Sequence, residues 1–218
     1  MKYHTKFNLI FKRFFLIFIL FLIYVVLCAF SYATTVSSNI QNSVFRLHVI
    51  ANSDSLEDQN LKYLVRDAVL EYINSISQKN SSKKEVIELT QENISTIENL
   101  AQEVIYKNGY NYSVKLNIGN FAFPTKTYGD VSFPAGFYDA LKIEIGNAEG
   151  QNWWCVMFPP LCFVDVTSGI VPESSKDNIK ENLSEEEYNL LLKNSEEINF
   201  KFKIVEMFQN LSIKLAQS

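Results

Sequence analysis

Tyr112-Ser113-Val114-Lys115-Leu116-Asn117-Ile118 decides the fold. Here the apolar residues take a period of two, since Tyr112, Val114, Leu116 and Ile118 alternate with Ser113, Lys115 and Asn117; that is the pattern of a strand with one face on a core and the other in water. Leu141, Ile143 and Ile145 alternate with Lys142 and Glu144 in the same way. Upstream the spacing is three and four. Leu61, Leu64, Val65, Ala68, Val69, Tyr72, Ile73 and Ile76 mark an amphipathic helix ending near Gln78. Ser53, Asp54 or Ser55 caps it, and Glu57 and Asp58 suit the positive end of its dipole. Val86, Leu89, Ile94, Ile97, Leu100, Ala101, Val104 and Ile105 predict a second helix from about Lys83 to Lys107, stopped by Asn108-Gly109. Ahead of both, Val44 to Ile50 alternates as a strand, with Val44, Arg46, His48 and Ile50 on one face and Phe45, Leu47 and Val49 on the other. The expected fold is a single α+β domain: an N-terminal strand, two amphipathic helices packed on one face, a small antiparallel sheet and a C-terminal helical or extended tail. Phe121 to Gly136 reads as turns interleaved with aromatics. In the tail, Ser184-Glu185-Glu186-Glu187 starts a helix for Tyr188 to Leu192, whereas Phe200, Phe202, Ile204 and Phe208 fit a strand or a helix equally.

The N-terminus has a different character. Lys2, Lys6, Lys12 and Arg13 precede a charge-free apolar run from Phe14 to Phe30, followed by Ser31-Tyr32-Ala33. A basic cluster, an apolar stretch and a small-x-small pattern make a membrane-targeting segment. Residues 1–33 are expected to be a signal peptide cut between Ala33 and Thr34, with a retained anchor as the alternative. Leu27 before Cys28 argues against a lipobox, which takes a small residue there. Residues 34–43 are polar and small, as in a tether, residues 44–171 form the domain, and residues 172–218 an extension.

Composition excludes several functions. Without residues 1–33 the chain keeps 16 Lys and Arg against 24 Asp and Glu, a formal charge of −8, and its only arginines are Arg46 and Arg66. A phosphate-binding surface needs clustered cations, so nucleic acid is not an expected partner. His48 is the only histidine left, which rules out two-His zinc sites. No Gly-x-Ser-x-Gly elbow and no phosphate-cradling glycine loop occur, so no catalytic residue, metal ligand, cofactor or small-molecule substrate is assigned.

Asn152-Trp153-Trp154-Cys155-Val156-Met157-Phe158-Pro159-Pro160-Leu161-Cys162 concentrates both tryptophans, two cysteines and two prolines in one rigid corner. In an exported domain the simplest account of Cys155 and Cys162 is a disulfide; free thiols, or a Cys155 nucleophile paired with His48, are the alternatives. Trp153 and Trp154 are adjacent on a strand and face opposite ways, so one is expected in the core and the other partly exposed.

Phe45 to Ser55, followed by Asp58-Gln59, Leu61-Lys62 and Val65 to Val69, resembles the opening signature of the stage II sporulation protein R family. Phe123 to Gly129, Pro134 to Leu141, Ile145-Gly146 and Gly150 to Phe163 are similar to that family's other motifs, so the resemblance covers about residues 44–166. It implies a protein of endospore formers, secreted from the forespore into the space between the septal membranes or tethered there. It also implies activation of a membrane-embedded aspartic protease that processes the pro-form of the early mother-cell sigma factor. The alternative is an exported cell-wall hydrolase acting through carboxylates or a thiol. Turn-borne aromatics suit interface anchors, so the expected contact surface holds Tyr128, Phe133, Trp153, Trp154 and Phe158, with Arg46, His48, Asn52 and Asp54 as a second patch.

Overall fold

A computed structural model describes residues 2–77, 82–162, 171, 173–181, 183–192 and 207, with side chains from residue 11 onward. Its elements run α1 (Lys2–Ser43), β1 (Phe45–Ile50), α2 (Leu56–Ile76), α3 (Lys83–Glu92), α4 (Ile94–Lys107), β2 (Val114–Phe123), β3 (Lys126–Tyr128), β4 (Val131–Phe133), β5 (Gly136–Ile145), β6 (Asn152–Phe158), α5 (Glu173–Lys180) and α6 (Glu185–Leu191). The class is α+β, as expected, although a helix rather than a strand comes first. The main sheet has the order β2-β5-β1-β6 and is mixed, not antiparallel: β1 runs parallel to β5 and antiparallel to β6. The parallel pairing follows from the long helical crossover between β1 and the later strands.

The sheet's front face meets the helices. Leu47, Val49, Val114, Ile143 and Ile145 close against Leu61, Val65, Val69 and Ile73 of α2 and Ile97, Ala101 and Ile105 of α4, all buried. Each valine, leucine or isoleucine among them contributes roughly 1.5–3 kcal/mol by leaving water. Ser55 is the cap of α2, its side chain accepting from the Asp58 amide. The helix expected over Lys83 to Lys107 is broken into α3 and α4 at Asn93, whose Nδ2 donates to the Leu89 carbonyl while Tyr72 Oη donates to its Oδ1. An asparagine side chain that takes a backbone carbonyl competes with the helical ladder, which explains the break.

The back face carries a second core of Val44, Phe123, Tyr138, Ala140 and Val156. Three pieces of chain cover it: the last turns of α1, the β3–β4 hairpin and the helices α5 and α6. The expected tether 34–43 is therefore corrected. Residues 34–43 continue α1 as helix, and Ala33, Val36, Ser37 and Ile40 bury one stripe of it at helical spacing. The polar residues that suggested a tether face outward or pair locally. Tyr32 Oη donates to Glu186 (2.8 Å), and Asn39 Nδ2 donates to Glu187, so the extension clasps the helix. Phe11 to Tyr32 is exposed, and this part of α1 is long and apolar enough to cross a membrane.

Two local expectations change as well. Phe121–Gly136 is not all turn, because β2 runs to Phe123 and a β3–β4 hairpin follows, turning at Gly129 with φ +55°. The tail helix begins at Ser184 with a full capping box to Glu187. Phe200, Phe202, Ile204 and Phe208 lie outside the described residues.

Candidate functional site

The turn leaving β1 is sewn to the turn between β5 and β6. Asn52 Nδ2 donates to Asp58 Oδ2 (2.8 Å), as does Ser53 Oγ, while Asn52 Oδ1 accepts from the Asn147 amide (3.0 Å) and Asp54 Oδ1 from the Gln151 amide (2.7 Å). Gln59 Nε2 reaches the Ser53 carbonyl at 2.8 Å and Lys62 Nζ the Gln151 carbonyl at 3.0 Å. Burial pushes the Asp58 carboxyl up, but hydrogen bonds from Ser53, Asn52 and Tyr112 outweigh it and hold the group below the ordinary carboxylate range. Asn52 and Asp54, expected in a contact patch, thus commit their polar atoms to an internal staple. Asp54 nonetheless stays exposed.

Arg46 is fully buried. Its guanidinium lies 4.2 Å from the Phe123 ring centre, 4.7 Å from Tyr138 and 6.0 Å from Phe133, and Nη2 donates to Tyr128 Oη (2.9 Å), which in turn donates to the Trp154 carbonyl (3.2 Å). Nε and Nη1 have no hydrogen-bond partner among the described residues, so the aromatic faces supply the compensation for the charge. Arg46 and Phe133 are corrected accordingly: both are interior, Arg46 because β1 is covered on both faces and Phe133 because the β3–β4 hairpin packs it into the second core. Tyr128 is half-buried and its hydroxyl is spoken for. Phe123 and Tyr138, not singled out from sequence, do most to hold Arg46; the signal available was that both share its face once β1, β5 and β2 are placed in register.

Beyond that box the back face opens to solvent. Trp154, half-buried, stacks on His48 with ring centres 3.6 Å apart and planes at 18°, and Phe123 meets its edge. His48 Nε2 donates to Asn152 Oδ1 (2.7 Å). Beside them Lys142 pairs with Glu144 (2.6 Å) and lies 5.7 Å above the half-buried Phe121 ring. His48 itself is 6 % exposed, so its expected place on a contact surface passes to Trp154 above it. The division into one core and one exposed tryptophan is also corrected. Trp153 is half-buried too, on the opposite face, where Arg66 covers its ring at 4.3 Å and Tyr63 meets it edge-on at 5.4 Å. Phe158 is half-buried against the first core.

Burial, opposed by the Asn152 hydrogen bond and reinforced by nearby Lys142, lowers the His48 pKa to about 4. The folded state therefore binds this proton less readily than the unfolded chain does. The neutral imidazole's contribution is present above about pH 6.5 and is lost as the pH falls towards 4. Denaturant midpoints measured across that window are expected to fall, with a smaller slope in His48→Gln; equal slopes would show that His48 does not set the response.

Cys155 and Cys162 are joined in the structure, with Cα atoms 5.1 Å apart. Cys155 packs in the front core while His48 faces the back, so the two cannot form a nucleophile pair. Among the described residues no group of three or more His, Cys, Asp or Glu is placed to hold a metal. What the open back face offers is recognition chemistry: an indole, a phenyl ring, an amide and an ion pair on a rigid sheet.

Comparison with known proteins agrees with the motifs. The chain is 40% identical over 138 residues to Stage II sporulation protein R of Bacillus subtilis (strain 168), covering 63% of this chain and 62% of the relative's length. No solved structure matches. A family model described as Stage II sporulation protein R matches residues 41–168, which takes in β1 through β6, the staple, the Arg46 box and the Trp154 platform. The chain belongs to the stage II sporulation protein R family.

Proposed function

We propose that this chain is an exported signalling protein of sporulation. In this reading its domain binds and activates a membrane-embedded aspartic protease, which then processes the pro-form of the early mother-cell sigma factor. Family membership supports the sporulation role. The observation that carries the contact reading is the Trp154 platform: an aromatic, half-exposed surface, on a domain whose first helix is apolar enough to enter a membrane. The proposed location is the intermembrane space of the sporulation septum, free or tethered. Disruption of the gene is expected to leave the pro-form uncut, and the intact gene to restore cleavage. Trp154→Ala is expected to fold and to restore much less; cleavage at the wild-type level with Trp154→Ala would remove the platform from the contact surface. Release of wall fragments by the purified chain would favour a hydrolase instead.

Two processing events belong to this reading. Ala33 is 2 % exposed within α1, so the Ala33–Thr34 bond is cut during export, before the stripe of Val36 and Ile40 docks. N-terminal sequencing should give Thr34; Met1 on membrane-bound protein would identify a retained anchor. Cys155 and Cys162 are oxidised outside the cytoplasm, and the short loop they close contributes about 2–3 kcal/mol. Mass spectrometry of the unreduced protein should show neither thiol free, and two alkylated thiols would refute the bond.

A further inference from the structure

The outer edge of β2 has no strand beside it among the described residues. Its pairing with β5 is unbroken, from Val114 opposite Ile145 to Phe123 opposite Gly136. The Ser113 carbonyl points to β5, where it accepts from the Gly146 amide. One residue along, the Val114 amide points the other way and donates to Gln102 Oε1 (3.2 Å), whose Nε2 also caps the Tyr112 carbonyl (2.7 Å). Strand alternation then turns the N–H and C=O groups of Leu116, Ile118, Asn120 and Ala122 outward. Gln102 closes one end of this ladder and leaves the rest open.

Long free edges are normally protected by proline, a bulge or inward charges, because they recruit other strands. β2 has no proline and no bulge, and its single protecting charge, Lys115, lies near one end of the strand. We propose that this edge is a homodimer interface, in which β2 of one copy pairs antiparallel with β2 of a second about a two-fold axis at Gly119. In that register Leu116 faces Ala122 and Ile118 faces Asn120, so every outward group finds its counterpart and the ladder ends at Gln102 of each copy. Gly119 faces Gly119 across the axis at a non-hydrogen-bonded position, where Cα atoms lie about 4.5 Å apart and a pair of small side chains fits. Within its own domain a Cβ at Gly119 would meet only the Phe121 ring, at 3.4 Å, so a cysteine is accepted there. Charge singles out this edge as the place where two copies can meet. The domain as a whole is acidic and repels its copy, whereas the edge carries no carboxylate and antiparallel pairing sends the two Lys115 side chains to opposite ends.

The purified protein is expected to have twice its single-chain mass by light scattering, 25.1 kDa per chain where residues 1–33 are retained, corrected for any detergent it carries. Asn120→Pro should reduce it to one chain with the unfolding transition retained, because the amide it removes makes no bond to β5. In a Cys28→Ser background, Gly119→Cys should cross-link to its copy on mild oxidation and Glu149→Cys, on a remote exposed turn, should not. The cross-link needs no destabilising change, so it decides the matter even if the proline variant fails to fold. A monomeric wild type without the Gly119→Cys cross-link would overturn the proposal. A dimer persisting in folded Asn120→Pro would place the interface elsewhere.

Discussion

Gly150→Ala is expected to destabilise the domain by about 3 kcal/mol, the upper range for forcing an added group into filled space. A Cβ at this position would lie 2.2 Å from the Ser53 carbonyl oxygen and 2.6 Å from its carbon, both backbone atoms that cannot swing aside. The same turn is held by the Gly150 amide donating to the Ala51 carbonyl (2.9 Å) and the Glu149 amide donating to that of Asn52 (3.2 Å). Relieving the overlap means parting the two turns and giving up these bonds together with the Gln151 to Asp54 contact. Chemical denaturation checks it against an alanine at Gly109, where an added Cβ meets nothing within 4 Å and the cost is left to its positive φ of 85°. A Gly150→Ala loss no larger than that at Gly109 would show that the turns are not tightly joined.

Asp58→Ala should cost about 3–4 kcal/mol. Hydrogen bonds to a charged group are worth roughly 1.5–3 kcal/mol, and donors left buried without a partner add their own desolvation penalty. Here Asn52 Nδ2 and Ser53 Oγ both lose their acceptor. The depressed carboxyl pKa gives a second signature. Asp58 stabilises the fold fully above its ordinary carboxylate value of 3.8 and loses that contribution as the pH falls below it through the folded pKa, so the variant should be less acid-sensitive than the wild type below pH 3.8. Glu57→Ala, on the exposed side of the same first turn, should stay within about 0.5 kcal/mol. Equal effects of the two changes would mean that Asp58 acts only through the helix dipole.

The sequence showed its periodicities faithfully and its partners poorly. The spacing of Leu61 to Ile76 and the alternation of Leu116, Ile143 and Ile145 are local properties, and the elements they predict are present. What local reading missed depends on cover from distant chain. β1 looked half-exposed because Arg46 and His48 alternate with Leu47 and Val49, yet α1, the hairpin and the extension close over Arg46, and Trp154 closes over His48. The tether 34–43 failed for the same reason, since its stripe of Val36, Ser37 and Ile40 is sparse and acquires meaning only against the second core. In the family signature, Asn52, Ser53 and Asp54 were legible as a turn, whereas the bonds that Asn52 and Asp54 accept from the Asn147 and Gln151 amides come from 95 and 97 residues downstream, which spacing cannot reveal. Of the expected contact residues, Trp154 keeps a surface that a partner could use, while Arg46 and Phe133 are scaffold.

The most direct test of the signalling account is reconstitution in a host that makes no spores. The membrane-embedded aspartic protease and the pro-form of the sigma factor would be co-produced with this chain or without it, and the size of the sigma factor followed by immunoblot. Cleavage is expected only when the chain and the protease are both present, and with folded Trp154→Ala it should be strongly reduced. Cleavage by the protease alone at the same rate, or cleavage by this chain when the protease is absent, would contradict the account.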